Sequence, residues 1–256
     1  VSIEGLELSI LGPAFVAGML VLMTHVPLGR EVIQRGIIFI DLAVAQFAGL
    51  GIILAASLGL EPHGWEIQLV AFISALSGAL GLGLAEKWLG GHQEALIGIC
   101  FVLAATGSIL LLAHNPHGGE YLKDLLVGQI LWVEWRQLLI PLLAGILILS
   151  LWWWKRTVFK TRFFYVLFAI AITLSVQLVG IYLVFASLII PALATAKFTD
   201  QRAVGFAWLL GILGYLTGLI LSAVLDLPSG AMIVWCLAVS ALFFITSRRI
   251  FFSDGL

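Results

Sequence analysis

Phe163 to Lys197 reads FFYVLFAIAITLSVQLVGIYLVFASLIIPALATAK, with no charged side chain before its last residue. As one helix it would be about 53 Å long at about 1.5 Å per residue, too long for about 30 Å of hydrocarbon without extreme tilt. Both flanks are basic, Lys160 and Arg162 on one side and Lys197 and Arg202 on the other. Like flanks on one side of a bilayer require an even number of crossings. The stretch therefore predicts a break near Gly180 and two short helices or a re-entrant pair. Membranes tolerate such breaks where protein or a water-filled cavity satisfies the freed backbone groups, and in transporters they mark the transport route.

The rest of the chain fits the same solvent. Apolar residues make up 62% of 256 positions and charged residues 11%, with a mean hydropathy of +1.14. Such a surface needs lipid around it, and the length accommodates about eight or nine crossings of roughly 20 residues each. Apolar runs fall at 8–27, 36–59, 66–89, 94–113, 137–154, 163–180, 181–196, 203–225 and 229–247. The expectation is an all-α, polytopic transmembrane bundle forming a single domain over 1–256. The run at 8–27 lacks a basic leader and reads as a span rather than a signal peptide. Gly78, Gly81 and Gly83, and Gly211, Gly214 and Gly218, have the spacing of close helix packing.

Charge orients the bundle. With the N-terminus outside, eleven of the thirteen basic residues fall inside: Arg30, Arg35, Lys87, Lys155, Arg156, Lys160, Arg162, Lys197, Arg202, Arg248 and Arg249. The opposite loops hold Glu4, Glu7, Glu61, Glu66, Glu120, Asp124, Glu134 and Asp226, against Lys123 and Arg136 alone. Basic residues near span ends stay cytoplasmic, so the C-terminus is expected inside. The net charge of −1 and the lack of a basic tract exclude nucleic acid as a partner; membrane lipid is the surrounding partner. Cys100 and Cys236 sit in apolar runs and read as small core residues.

Few residues can carry chemistry. Asp41 lies in the apolar run GIIFIDLAVAQFAG (36–49), where a carboxylate costs several kcal/mol, on the order of ~3, unless paired or hydrated. It reads as an interhelical hydrogen bond or as a hard oxygen ligand on an ion path. Gln46 lies about 140° round an ideal helix from it, so the two do not share a face unless the helix carries a bulge, and Gln46 by itself reads as an interhelical hydrogen bond or as a cation contact. The loop from His114 places His117, Glu120 and Asp124 on one face of a helix starting near Pro116, a mixed N/O set suited to zinc or manganese at an outer access point, or simply a solvated loop. His92 and Glu94, two apart at a cytoplasmic helix end, read as an N-terminal cap and interfacial charge or, less simply, as ligands. His25 and His63 read as interfacial, and Trp152-Trp-Trp-Lys-Arg as an aromatic belt. No phosphate-binding glycine loop, His-Glu-x-x-His helix or Gly-x-Ser-x-Gly turn occurs, so the chain has no visible nucleotide site or hydrolase centre.

Two stretches carry a family resemblance. VGIYLVFASLIIPALATA (179–196) resembles the signature of the ABC-3 family of zinc and manganese ABC permeases, and DLPSGAMIV (226–234) is similar to that family's stretch near the last helix. Weaker similarity runs through 35–51, 94–99 and 126–131. The resemblance implies a permease subunit in a prokaryotic cytoplasmic (inner) membrane, not itself an enzyme. It also implies a homodimer, two cytoplasmic ABC ATPase subunits, and an extracytoplasmic metal-binding protein that delivers zinc or manganese. The metal is cargo rather than a resident cofactor. It further implies that the segment after the Pro-Ala motif contacts the ATPase, here about 194–202, with Pro191, Thr195, Lys197, Asp200 and Arg202 as coupling residues. The family's second helix has Gly-Asp, three residues, then His-Ala; here Ile40 precedes Asp41, Ala45 stands at the histidine position, and Gln46 follows. The rival expectations are an ion-coupled secondary transporter using Asp41, an ABC permease for an organic metal chelate, and an intramembrane enzyme using the loop of His117 and Glu120.

Overall fold

A computed structural model describes residues 8–60, 65–154, 163–198 and 201–252. Among them there are ten α-helices and no strand: α1 Leu8–Arg35, α2 Ile40–Ser57, α3 Trp65–Leu89, α4 Gln93–Leu112, α5 Gly118–Val127, α6 Leu139–Trp154, α7 Phe163–Val179, α8 Ile181–Ala194, α9 Gln201–Leu225 and α10 Ser229–Phe252. Seven are long and apolar enough to cross a bilayer, and α7 and α8 are the two shorter apolar helices. The nine expected runs all appear, with the break at Gly180. The short α5 at the opposite end from Arg35 and Lys197 is additional.

The first run is longer than expected. The apolar run ends at Pro27, yet α1 continues through Pro13 and Pro27 to Arg35. A proline inside a membrane helix removes one backbone hydrogen bond, which neighbouring helices compensate by packing. Here Gly29, two residues on, packs directly against the Leu188 carbonyl of α8. The extra turns carry Arg30 and Arg35 beyond the apolar segment. A tight turn at Gly36 (φ 70°) then reverses the chain into α2.

The apolar centre is built from α1, α2, α7 and α8, with the other helices around it. Phe164, Phe168, Ile172, Val184 and Leu188 are fully buried, whereas α4 and α6 present Leu103, Leu110, Ile140 and Leu143 outward, as lipid-facing helices must. Polar bonds cross between helices: Trp208 Nε1 donates to the Leu22 carbonyl (3.2 Å), Ser74 Oγ to the Phe47 carbonyl (2.7 Å), and Ser187 Oγ pairs with Tyr215 Oη (2.8 Å). In hydrocarbon these bonds replace water as the partner of the polar group.

Five of the six glycines expected at packing positions do pack. Gly78 faces the Phe47 ring, Gly83 the Tyr165 ring, Gly211 the Leu22 side chain, and Gly214 and Gly218 lie against Leu237 and Ile233 of α10. Gly81 is the exception, since nothing lies within 4 Å of where its Cβ would be. Periodicity places it on an adjacent face turned outward. Gly78→Ala is expected to destabilise the protein by about 1–3 kcal/mol through overlap with Phe47. Gly81→Ala, gaining helix propensity with no clash, is expected to be neutral or stabilising by up to about 1 kcal/mol. Thermal unfolding of the two variants in detergent measures the difference.

Candidate functional site

A cavity of about 590 Å³ runs along one side of the bundle between α2, α4, α5, α8 and α10. Its wall is almost wholly apolar, with Leu42, Phe185, Leu122 and Trp235 among its residues and Gln46 and Tyr182 as its polar ones. Leu42 and Gln46 share a face of α2 because they are four residues apart. Asp41 stands on the adjacent face and is fully buried, as the angular offset from Gln46 predicts. Sequence spacing thus separated the two correctly, and the structure adds that Gln46, not Asp41, lines the cavity.

Asp41 lies in the first turn of α2, next to the amides of Asp41 and Leu42 at the helix N-terminus, where the helix dipole favours an anion. Neither carboxylate oxygen has a hydrogen-bond partner. The second acid near it is Glu94, in the first turn of α4. Glu94, expected as interfacial charge, reaches the neighbouring helix. Its Oε1 accepts the Phe39 N–H at 3.2 Å, across to the start of α2, while Oε2 is buried without a partner. His92 occupies the N-cap position of α4 without a side-chain cap bond.

The outer loop forms a different arrangement. α5 starts at Gly118 with His117 as its N-cap, and His117 Nδ1 lies 3.8 Å from Glu120 Oε2. Both side chains are exposed, and so is Asp124. Among the described residues no three His, Cys, Asp or Glu side chains converge as a metal site. His117, Glu120 and Asp124 therefore share a face without forming a closed ligand set. His25, expected at an interface, is instead fully buried in α1 with Nδ1 2.9 Å from Thr24 Oγ1. His63 lies outside the described residues. Cys100 and Cys236 are free and half-buried. Of the expected belt, Trp153 and Trp154 are exposed at the end of α6, Trp152 is instead buried in the core, and Lys155 and Arg156 lie outside the described residues.

At the basic end, Pro191 lies inside α8 and Thr195 caps it, its Oγ1 donating to the Pro191 carbonyl at 2.9 Å. Lys197 is exposed. Arg30 Nη2 donates to the Phe198 carbonyl at 3.3 Å, and the Phe198 ring packs against Phe206 of α9 and Phe244 of α10. The segment after α8 is thereby tied to α1, α9 and α10. Asp200 lies outside the described residues, and only the backbone of Arg202 is described.

Sequence reasoning missed a second cavity of about 550 Å³ at the acidic end, lined by Gln68, Gln129, Gln137 and Gln177. These four come from separate elements, so no local spacing could have found them. Its lining carries carboxamides and no charge, which is not the ligand set of a divalent ion.

An all-helical bundle with a lateral cavity, a buried unpaired acid beside it and a broken central helix defines a polytopic membrane permease. The chain belongs to the ABC 3 transport family, whose pattern matches residues 7–164 and 158–248. It is 27% identical over 263 residues to the high-affinity zinc uptake system membrane protein ZnuB of Haemophilus influenzae, covering 93% of this chain and 96% of the relative. It is 25% identical over 259 residues to the manganese transport system membrane protein MntC of Halalkalibacterium halodurans, covering 93% and 86%. Among solved structures, PsaBC from Streptococcus pneumoniae in complex with Fab shares the fold, with a TM-score of 0.72 at 20% identity over 93% of this chain and 94% of that one.

Proposed function

We propose that this chain is the membrane-spanning subunit through which a divalent metal ion, zinc or manganese, crosses the cytoplasmic membrane. The observation that carries the reading is Asp41: a fully buried carboxylate with both oxygens unpartnered, beside the wall of a membrane cavity. Such a group is retained where a cation passes. The names of the zinc and manganese relatives support the choice of cargo.

The chain acts as a homodimer with its N-terminus outside and its C-terminus in the cytoplasm. An extracytoplasmic metal-binding protein delivers the ion on the side of α5, where His117, Glu120 and Asp124 form an exposed outer access point. ATP hydrolysis belongs to a separate cytoplasmic ABC ATPase, which docks on the segment 194–202. Pro191, Thr195, Lys197, Asp200 and Arg202 make up the coupling region. The bonds of Phe198 to α1, α9 and α10 support this role, because force on that segment reaches three helices at once. ATP binding must favour one permease conformation to drive alternation.

The test is uptake of radiolabelled zinc and manganese into proteoliposomes holding the chain with its ATPase. Vanadate-sensitive uptake that requires ATP is expected. Uptake without the ATPase, collapsed by a protonophore, would instead make the chain an ion-coupled secondary transporter.

A further inference from the structure

We infer that the glutamine-lined cavity at the acidic end of the bundle is a lipid site, holding the zwitterionic headgroup of a phosphatidylethanolamine on its carboxamides and the acyl chains on the apolar residues one turn deeper. In the orientation proposed above, that lipid belongs to the outer leaflet. The site is separate from the transport route. Its lining comes from α3, α6, α7 and the two short turns before α6, whereas the apolar cavity is lined by α2, α4, α5, α8 and α10.

Gln68 stands in the first turn of α3, Gln129 before the turn Ile130–Trp132, Gln137 in the turn before α6, and Gln177 near the end of α7. Among the described residues, the side chains of Gln68, Gln129 and Gln177 hydrogen-bond to no other protein group, and neither does the Trp132 indole N–H. Gln137 Oε1 accepts the Glu134 N–H at 3.0 Å, which leaves its amide hydrogens to donate. A structural glutamine in this bundle looks different: Gln93 is buried, and its Nε2 donates to Tyr165 Oη at 3.2 Å and to the Leu82 carbonyl at 3.4 Å. Carboxamides from four elements that converge on about 550 Å³, a volume within the roughly 300–1,000 Å³ of small-molecule sites, fit a ligand larger than a single water.

The polarity of the cavity changes with depth. α7 runs toward the acidic end, so Leu174 lies one turn nearer the bilayer centre than Gln177; α6 runs away from it, so Ile140 and Pro141 lie deeper than Gln137. Ile140 is 66% exposed, so the apolar part opens toward lipid. That order, polar above and apolar below, is the order of a lipid molecule at the interface. Each carboxamide offers an oxygen to an ammonium and N–H groups to a phosphate, and Trp132 adds one more donor. The charges flanking the lining in sequence are Glu66, Glu134 and Arg136, all exposed, two acids to one base. An anionic headgroup calls for clustered Lys or Arg, which the lining lacks. A choline headgroup has no N–H to give the carboxamide oxygens, so ethanolamine is the better match.

The experiment takes the full chain purified in detergent and stripped of lipid. Dioleoyl phosphatidylethanolamine, phosphatidylglycerol, phosphatidylcholine and the soluble headgroup glycerophosphoethanolamine are each titrated against it, with bound molecules counted by native mass spectrometry. Retention of phosphatidylethanolamine above the other three is expected. The double variant Gln68→Leu/Gln177→Leu is expected to weaken that retention on the order of 10-fold, with an unchanged thermal midpoint before lipid is added. On the wild type, phosphatidylethanolamine with a diazirine near the top of one acyl chain is expected to label Ile140 or Leu174. Equal retention of phosphatidylglycerol or phosphatidylcholine would overturn the headgroup assignment, and so would undiminished binding by the double variant. Glycerophosphoethanolamine bound as tightly as the lipid would make the cavity a site for a soluble zwitterion instead. Labelling confined to other helices would overturn the site itself.

Discussion

Asp41→Asn is expected to cut metal uptake at least about tenfold while leaving thermal stability unchanged or raised. The two effects have one cause. The carboxylate is fully buried and unpartnered, so its charge is a cost to the fold and an asset only to a passing cation. Asparagine has nearly the same shape and cannot carry that charge. Removing an uncompensated buried charge relieves a penalty of several kcal/mol, on the order of ~3, if the acid is ionised, and removes little if it is protonated. A purely structural aspartate would behave in the opposite way, losing stability when replaced. Uptake in proteoliposomes and thermal unfolding in detergent, measured on one preparation, separate the two. Wild-type transport by this variant would remove Asp41 from the mechanism.

The second large effect is expected at the break in the central stretch. Gly180 has φ 80° and ψ 164°, and Gly128 at the end of α5 has φ 73° and ψ 169°. These are backbone regions open essentially to glycine alone. The two residues also face each other. A Cβ on Gly128 would run into the Val179 carbonyl, and one on Gly180 would run into the Gly128 amide and, at 2.7 Å, the Val127 carbonyl carbon. Gly230, at the start of α10, closes on the Val127 carbonyl at 2.5 Å by the same measure. Each alanine substitution at 128 or 180 therefore meets strain and a backbone overlap that no rotamer change relieves, and about 3 kcal/mol or more of destabilisation is expected. Gly36→Ala is the control. Its φ is 70°, but nothing lies within 4 Å of its Cβ position, so only the strain of about 1–2 kcal/mol remains. Equal melting temperatures for Gly36→Ala and Gly180→Ala would show that the junction of the two glycines does not hold α5 against the helix break.

The function of this junction follows from its position. α5 contributes Leu122 and Leu126 to the cavity wall, and α8 contributes Ile181 and Tyr182 just after Gly180. The close approach of the two backbones sets one end of the cavity where the ion is proposed to enter.

Much of this was legible in the chain itself. Composition requires lipid as solvent, and basic residues on both flanks of 163–197 require an even number of crossings, hence a break at Gly180. The 140° offset between Asp41 and Gln46 is a property of one helix and survives folding. Pro27 misled because a proline ends helices in water, whereas here α8 packs against Gly29 and the helix continues. Gly81 misled because spacing marks a face without saying what lies opposite.

What the sequence determined by itself is the set of helices, their membrane residence and the cost of an acid at position 41. Those depend on hydropathy, charge and the period of a single helix, which are local quantities. Only the tertiary structure decided that Glu94 accepts the Phe39 N–H across to α2, that Gly128 meets Gly180, and that four distant glutamines share a cavity. Each of these joins residues more than forty positions apart in sequence or on separate elements. Their meeting depends on how helices rotate and shift against one another, and side-chain packing sets that rotation after the helices exist.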